Sequence, residues 1–262
     1  MATTLSEHLN KQKFPSTLSK SDFVTSHSVV KHTPQNASPC HTINLQLITF
    51  NENHYSNSLF PLFDIHTPPN FEKMLPTRKA SFLAGRIAIK AAFEDIDIPA
   101  ENIQVGIHKQ PLWPDSIKGS ISHSKNCSIA TLVQDREALN NNIGIDIQHI
   151  ISGEEINNIR DLVITNEEKK YLSLSVEGWS KDQIFTLLFS AKESFFKAIY
   201  PSIKQYLNFT DASIISLDFK TQTITIKFKN DLGGLVNSEK EYQLSFDLLK
   251  LDDLHVITYC RI

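Results

Sequence analysis

The stretch Phe189-Ser190-Ala191-Lys192-Glu193-Ser194-Phe195-Phe196-Lys197 constrains this chain most. It lies in a run from Ile184 to Tyr200 that meets no Gly or Pro until Pro201. A run of that length with a Pro at its end predicts a helix. Its apolar residues, from Ile184 and Phe185 to Phe196 and Ile199, go most of the way round, so the helix belongs in a core. Lys192, Glu193 and Lys197 interrupt that surface. Glu193 and Lys197 are one turn apart and share a face. On an ordinary helix such a pair is a solvated contact of little worth. On a buried helix a charge needs a partner, a metal or a ligand. The pattern therefore calls for a second charged element.

That element is Asn142-Ile143-Gly144-Ile145-Asp146-Ile147-Gln148. Strand alternation puts the three isoleucines on one face, suited to a core, and Gly144, Asp146 and Gln148 on the other. A carboxylate and an amide are oxygen ligands of the kind Mg²⁺ takes. An Asp near a strand end is also a common loop cap, so the strand alone leaves both readings open.

Upstream, Pro76-Thr77 opens a helix through about Phe93. Lys79, Arg86 and Lys90 fall on one stripe, with Arg78 nearby. Either this is a solvated basic face or it is an anion site for phosphates. Gly85 costs a helix about 1 kcal/mol relative to Ala, which points to a close approach of backbone or ligand. Val105-Gly106-Ile107 reads as a short strand and Lys109-Gln110-Pro111-Leu112-Trp113-Pro114 as a rigid loop. Gly119–Ser124 and Ser128–Val133 read as two strands joined by a tight turn at Lys125-Asn126. Ser122 and His123 sit near the end of the first. A lone His is more often a structural hydrogen-bonder than a ligand contact.

Elsewhere, Ile43–Phe50 alternates as a strand. Thr165 to Leu174 reads as a helix, with Thr165 and Glu168 in capping-box spacing. Four strands close the chain: Ala212–Phe219, Gln222–Phe228, Tyr242–Leu248 and His255–Ile262. The expected fold is α+β, two similar-sized lobes divided near residue 140. Residues 1–40 are polar and aperiodic and read as an extension, partly disordered or draped over the domain. Residues 41–140 form the N-terminal lobe and 141–262 the C-terminal lobe.

The 262 residues are enough for such a core. A net charge of -3 argues against a general nucleic-acid binder. Cys40, Cys127 and Cys260 are far apart and odd in number, which reads as reduced thiols of a cytoplasmic protein. The first residues lack the apolar core of a secretory signal, and no run has the roughly eighteen apolar residues of a transmembrane segment.

Taken together these stretches resemble the 4'-phosphopantetheinyl transferases of the enterobactin synthetase component D type. Five ordered motifs carry the resemblance over about 42–262. They are Arg78-Lys79 with Phe82-Leu83-Ala84-Gly85-Arg86, then Gln110–Pro114, Gly119–Ser124, Ile143–Ile147, and Phe189–Ser194 with Lys197. The last strand, Val256–Cys260, is also similar. The resemblance implies a pseudo-twofold pair of α+β lobes, with the active site in the cleft between them. The activity implied is transfer of phosphopantetheine from coenzyme A, the co-substrate, to a serine of an acyl or peptidyl carrier protein. Adenosine 3',5'-bisphosphate is the other product, Mg²⁺ is the cofactor, and the usual form is a monomer. Siderophore, nonribosomal peptide, polyketide and polyunsaturated fatty acid synthesis are all compatible pathways.

Residue by residue, the resemblance gives Arg78 and Arg86 to the coenzyme A phosphates. It lays Lys109, Gln110, Pro111 and Leu112 along the adenine, mostly by backbone. It puts Ser122 and His123 on phosphate groups, Asp146 and Glu193 on the metal, and Lys192 and Lys197 beside the pyrophosphate. Glu193 is then the candidate base and Lys197 the group that assists the leaving bisphosphate. Gln148 departs from the pattern, since many members carry an acid there; its amide oxygen can still ligate Mg²⁺, without charge. Two other readings remain open. One is a non-catalytic protein that binds carrier proteins or coenzyme A. The other is a Mg²⁺-dependent phosphotransferase on another nucleotide, against which stands the lack of a glycine-rich phosphate loop in a chain with eight Gly.

Overall fold

The computed structural model describes residues 10–11, 21–32, 43–134, 142–231 and 237–262. The chain divides into two compact units, one holding the described residues 10–134 and the other those from 142 onward. Both mix helix with antiparallel sheet, as an α+β protein should. No helix among the described residues is long and apolar enough to cross a membrane.

The first unit contains β1 (Asn10–Lys11), β2 (Val24–His32), β3 (Ile43–Phe50), α1 (Leu59–Leu62), α2 (Pro76–Asp95), β4 (Gln104–Val105), β5 (Pro111–Leu112), β6 (Ile117–Ser124) and β7 (Cys127–Gln134). Five of these strands form one antiparallel sheet in the order β1-β2-β3-β7-β6. Helix α2 starts with Pro76 in its first turn and packs on β3, β7 and β6. Leu83, Ala84, Ile87, Ala88 and Phe93 bury its apolar side with Ile48, Phe50, Ala130 and Leu132. The close protein neighbour of Gly85 is a side chain, not backbone. A Cβ there would stand 2.7 Å from Ile121 Cδ1, the terminal methyl of a side chain on β6.

Strand β2 corrects the reading of residues 1–40. Residues 24–32 pair along the whole of β3, from Val24 opposite Phe50 to His32 opposite Ile43. Phe23, Val24, Val29 and Val30 are buried. The interleaved Ser, His and Lys hid an apolar face that the sheet supplies with neighbours. The rest of that segment, 1–9, 12–20 and 33–40, Cys40 included, lies outside the described residues, as does the expected boundary near 140.

The second unit contains β8 (Ile143–His149), α3 (Gly153–Val163), α4 (Lys181–Ile203), β9 (Ala212–Asp218), β10 (Thr223–Phe228), β11 (Glu241–Lys250) and β12 (Leu254–Arg261). Its antiparallel sheet runs β8-β12-β11-β10-β9. Helix α4 crosses β8 and β12. Ser180 caps it, with its Oγ taking Gln183 N at 3.2 Å and its own N donating to Gln183 Oε1 at 2.6 Å. Pro201 lies in the final turn and the helix stops at Lys204, a left-handed residue at φ 51°. The helix expected over Thr165–Leu174 is only a 3-10 helix at Glu168–Ser173. The regular helix lies just before it as α3. Its Ile156, Ile159 and Val163 share one face, a signal available in the sequence but passed over.

Candidate active site

Asp146 sits on β8 directly opposite Thr258 of β12 and beneath α4. Its strand face is the one the helix covers. Gly144, two residues earlier, allows this: a Cβ there would stand 1.8 Å from the Ser194 carbonyl oxygen. The expected alternation is correct, but the polar face is buried too, with Asp146 only 4% exposed. Its two carboxylate oxygens are both engaged. Lys197 Nζ donates to Oδ1 at 2.7 Å and to the Ile145 carbonyl at 3.1 Å. Ser190 Oγ donates to Oδ2 at 2.7 Å and lies 2.9 Å from Thr258 Oγ1. Thr258 Oγ1 in turn donates to the Ser190 carbonyl at 2.8 Å.

Glu193 lies on the same side of α4 as Lys197, half-buried. Burial pushes its carboxyl above the ordinary carboxylate value, Lys197 pulls it down, and Asp146 pushes it up again. Two carboxylates thus repel each other in a partly desolvated place, the situation a hard dication relieves. The donor set fits Mg²⁺ on that ground. Among the described residues no group of three or more His, Cys, Asp or Glu side chains is placed to hold a metal. Further ligands must then be neutral or come from substrate or water. Gln148, on the same face of β8 as Asp146, donates from its amide nitrogen to His149 Nδ1 at 3.1 Å, so its side-chain acceptor is the carbonyl oxygen.

Lys192, expected beside a pyrophosphate, is not there. It lies on the face of α4 turned away from Asp146 and is fully buried. Its three donors go to Glu168 Oε2 at 2.8 Å, the Val163 carbonyl at 2.9 Å and the Phe209 carbonyl at 3.0 Å. Burial lowers its pKa and Glu168 raises it. A cation with all three protons satisfied inside the core has none for a ligand.

In the first unit the site residues converge in part. Arg78, exposed in the first turn of α2, donates to His123 Nε2. Arg86 is 8% exposed and lies 4.5 Å over the Phe82 ring. Burial and the Arg78 charge lower its pKa to about 10. Lys79 is likewise buried, 4.2 Å over Phe71. Among the described residues neither meets a carboxylate. Lys90, by contrast, binds the Phe63 and Asp64 carbonyls and the Asp64 carboxylate. The stripe is thus not a solvated face. By alternation Ser122 points to the face of β6 opposite His123, so the two side chains do not converge. Lys109 sits exposed at the tip of the β4–β5 hairpin at φ 64°. Gln110 closes that hairpin, its carbonyl taking Gly106 N at 2.8 Å and its side chain taking His108 N at 2.9 Å. Pro111 and Leu112 pair with Val105 and Gln104.

Two family models match: the 4'-phosphopantetheinyl transferase superfamily over residues 142–260, and the 4'-phosphopantetheinyl transferase N-terminal domain over 67–133. The enterobactin synthase component D of Escherichia coli (strain K12) is 35% identical over 158 residues, 59% of this chain and 69% of that protein. The chain belongs to the 4'-phosphopantetheinyl transferase superfamily. The Salmonella typhi enterobactin synthase component D is 35% identical over 141 residues, and the match spans 54% of this chain but 56% of that relative. The 4'-phosphopantetheinyl transferase PptT of Mycobacterium tuberculosis is 27% identical over 150 residues, 56% of this chain and 62% of that protein. In this superfamily member, sequence reasoning missed Ser190 and Thr258, which hold Asp146, and Glu168, which holds Lys192. Ser190 was visible as a hydroxyl three residues before Glu193 in an apolar run; Thr258 had no such local sign.

Proposed function

We propose that the chain transfers 4'-phosphopantetheine from coenzyme A to a serine of an acyl or peptidyl carrier protein. Adenosine 3',5'-bisphosphate leaves. The observation that carries this reading is the Asp146–Lys197 contact at 2.7 Å beside Glu193, within the region matched to the superfamily. Arg78, Arg86 and His123 bind phosphate groups of coenzyme A, and Lys109–Leu112 offers backbone to the adenine. Asp146 and Glu193, with Gln148 as a neutral helper, hold Mg²⁺. When bound, Mg²⁺ neutralises pyrophosphate charge.

Glu193 takes the proton of the serine hydroxyl as its oxygen attacks the β-phosphorus. A carboxyl raised above its ordinary value is a better acceptor near neutrality. The bond from the β-phosphorus to the bridging oxygen breaks, and the bisphosphate leaves with its electron pair. Lys197, held by Asp146 and the Ile145 carbonyl, presents positive charge to that leaving group. The names of the E. coli and Salmonella relatives favour a carrier protein of siderophore assembly. In this reading the protein acts in the cytoplasm as a monomer. Mass spectrometry of apo-carrier proteins after incubation with coenzyme A and Mg²⁺ tests it. One phosphopantetheine arm should be gained on a serine. An assay in which carriers of siderophore, polyketide and fatty acid type all stay apo sinks it.

A further inference from the structure

The Lys192–Glu168 pair has no part in the mechanism above, yet it is built with more care than any other ion pair described. Both side chains are fully buried, at 2.8 Å. Glu168 Oε2 also takes Thr165 N at 2.6 Å, and Oε1 takes Ile214 N at 2.6 Å. Lys192 adds the Val163 and Phe209 carbonyls. One residue pair therefore ties the end of α3, the 165–168 turn, α4, the 209–211 turn and β9. Phe209 rests on the same stripe of α4, 5.1 Å from Phe189 and 5.9 Å from Phe196.

Successive helix residues differ by about 100° around the axis. Ser190 and Ser194 mark the side of α4 on the sheet, through Asp146 and Gly144. Lys192 marks the side turned away. Glu193 lies between them. The helix is held on one side by Asp146 with Ser190 and Lys197, and on the other by Glu168 with Lys192. Apolar packing fixes where α4 lies, and these two polar attachments fix its rotation from opposite sides.

Buried ion pairs rarely add net stability over apolar residues of the same volume, so stability is a weak reason to keep one here. We propose that Glu168 and Lys192 are positioning residues, whose pairing sets the roll of α4 and so the aim of the Glu193 carboxylate toward the metal. This rests on the transferase reading. Outer partners of metal ligands typically cost 10–100-fold in metal affinity or activity when removed.

The test uses the full chain and the variants Glu168→Gln, Lys192→Met and both together. Three quantities are measured on folded protein: Mn²⁺ affinity by electron paramagnetic resonance, coenzyme A affinity by calorimetry, and turnover on an apo-carrier. The double variant strands no buried charge and keeps the question answerable where a single variant unfolds. Expected are an Mn²⁺ affinity and a turnover each lowered roughly tenfold or more, coenzyme A affinity within about twofold, and a double variant no worse than the worse single one. A fall in melting temperature with Mn²⁺ affinity and turnover intact overturns the proposal, since that is a merely structural pair. Coenzyme A affinity lost in Lys192→Met but kept in Glu168→Gln also overturns it, because Lys192 is then a direct ligand. Should the wild type transfer nothing while Mn²⁺ affinity falls as expected, the transferase reading fails and the positioning role stands.

Discussion

On helix α2, Lys79, Arg86 and Arg78 sit on aromatic rings and an imidazole, and only Lys90 of that stripe meets a carboxylate; on helix α4, Lys192 and Lys197 both sit on carboxylates. Lys79 and Arg86 lie over Phe71 and Phe82, and Arg78 meets His123. On α4, Lys197 meets Asp146 and Lys192 meets Glu168. The two units are otherwise built alike, each a five-stranded antiparallel sheet with one long helix on it. A cation left without a counter-charge in a desolvated place gains most when an anion arrives from outside. A cation already neutralised by a buried carboxylate gains less, and serves mainly to fix geometry. The first unit is accordingly suited to holding phosphates, the second to holding the groups that react.

The harshest way to break this comparison is to remove a sheet strand from the unit proposed to bind phosphates. Deleting residues 1–32 removes β2 and with it Phe23, Val24, Val29 and Val30. At 1.5–3 kcal/mol for each buried apolar side chain, the loss is about 6–12 kcal/mol. That is of the order of a whole domain's stability, roughly 5–15 kcal/mol. Such a truncation should lose cooperative melting and coenzyme A binding together. Retained coenzyme A affinity would show that the strand is dispensable.

Glu193→Gln comes next. It keeps shape and an oxygen but removes basicity and charge. Loss of general-base help alone costs about 10²–10⁴-fold in turnover. Coenzyme A affinity, assigned to the other unit in the proposal, should change little. Near-normal transfer at saturating Mg²⁺ would remove Glu193 from the chemistry.

Arg86→Ala should show the opposite profile. A charge-assisted hydrogen bond is worth roughly 1.5–3 kcal/mol, or about ten- to a hundredfold in affinity. Help given equally to bound substrate and transition state raises KM and leaves kcat alone. Calorimetry and steady-state kinetics together decide it. A large fall in kcat at unchanged KM would erase the contrast between the two helices.

The parts of this arrangement that were legible in the sequence are those whose signal is local. The apolar periodicity of α2 and α4, the alternation of β3 and β6 to β12, and the Lys125-Asn126 turn need only neighbours along the chain. Strand β2 was not legible, because its His27, Ser28 and Lys31 mask the apolar positions and its partner β3 supplies the missing context. Lys192 was misread for a related reason. Its partner Glu168 lies 24 residues back, in what looked like a helix cap, and the capping box it does form with Thr165 concealed its second task. Glu193 and Asp146 were singled out because strand and helix spacing each put them on a definite face. The contacts that hold Asp146, from Ser190 and Thr258, arise only when α4 lies across β8 and β12.

The smallest expected effect sharpens the comparison within the reacting unit itself. Gln148 shares a strand face with Asp146 but brings no charge, and its amide nitrogen is already turned to His149. Gln148→Ala removes at most one neutral oxygen, and Mg²⁺ readily keeps waters in its coordination shell. Asp146 and Glu193 stay in place. The expected outcome is a Mg²⁺ requirement raised by a few-fold and turnover restored when more Mg²⁺ is supplied. Gln148→Glu should move the same curve the other way, since a third carboxylate strengthens attraction for a dication. It also adds repulsion to a site where Glu193 is already raised by burial and by Asp146, so its gain should vanish without metal. A titration of activity against Mg²⁺ for the three proteins reads both effects. If Gln148→Ala loses as much as Glu193→Gln and extra Mg²⁺ restores nothing, then Gln148 is a full ligand and charge is not what ranks these residues.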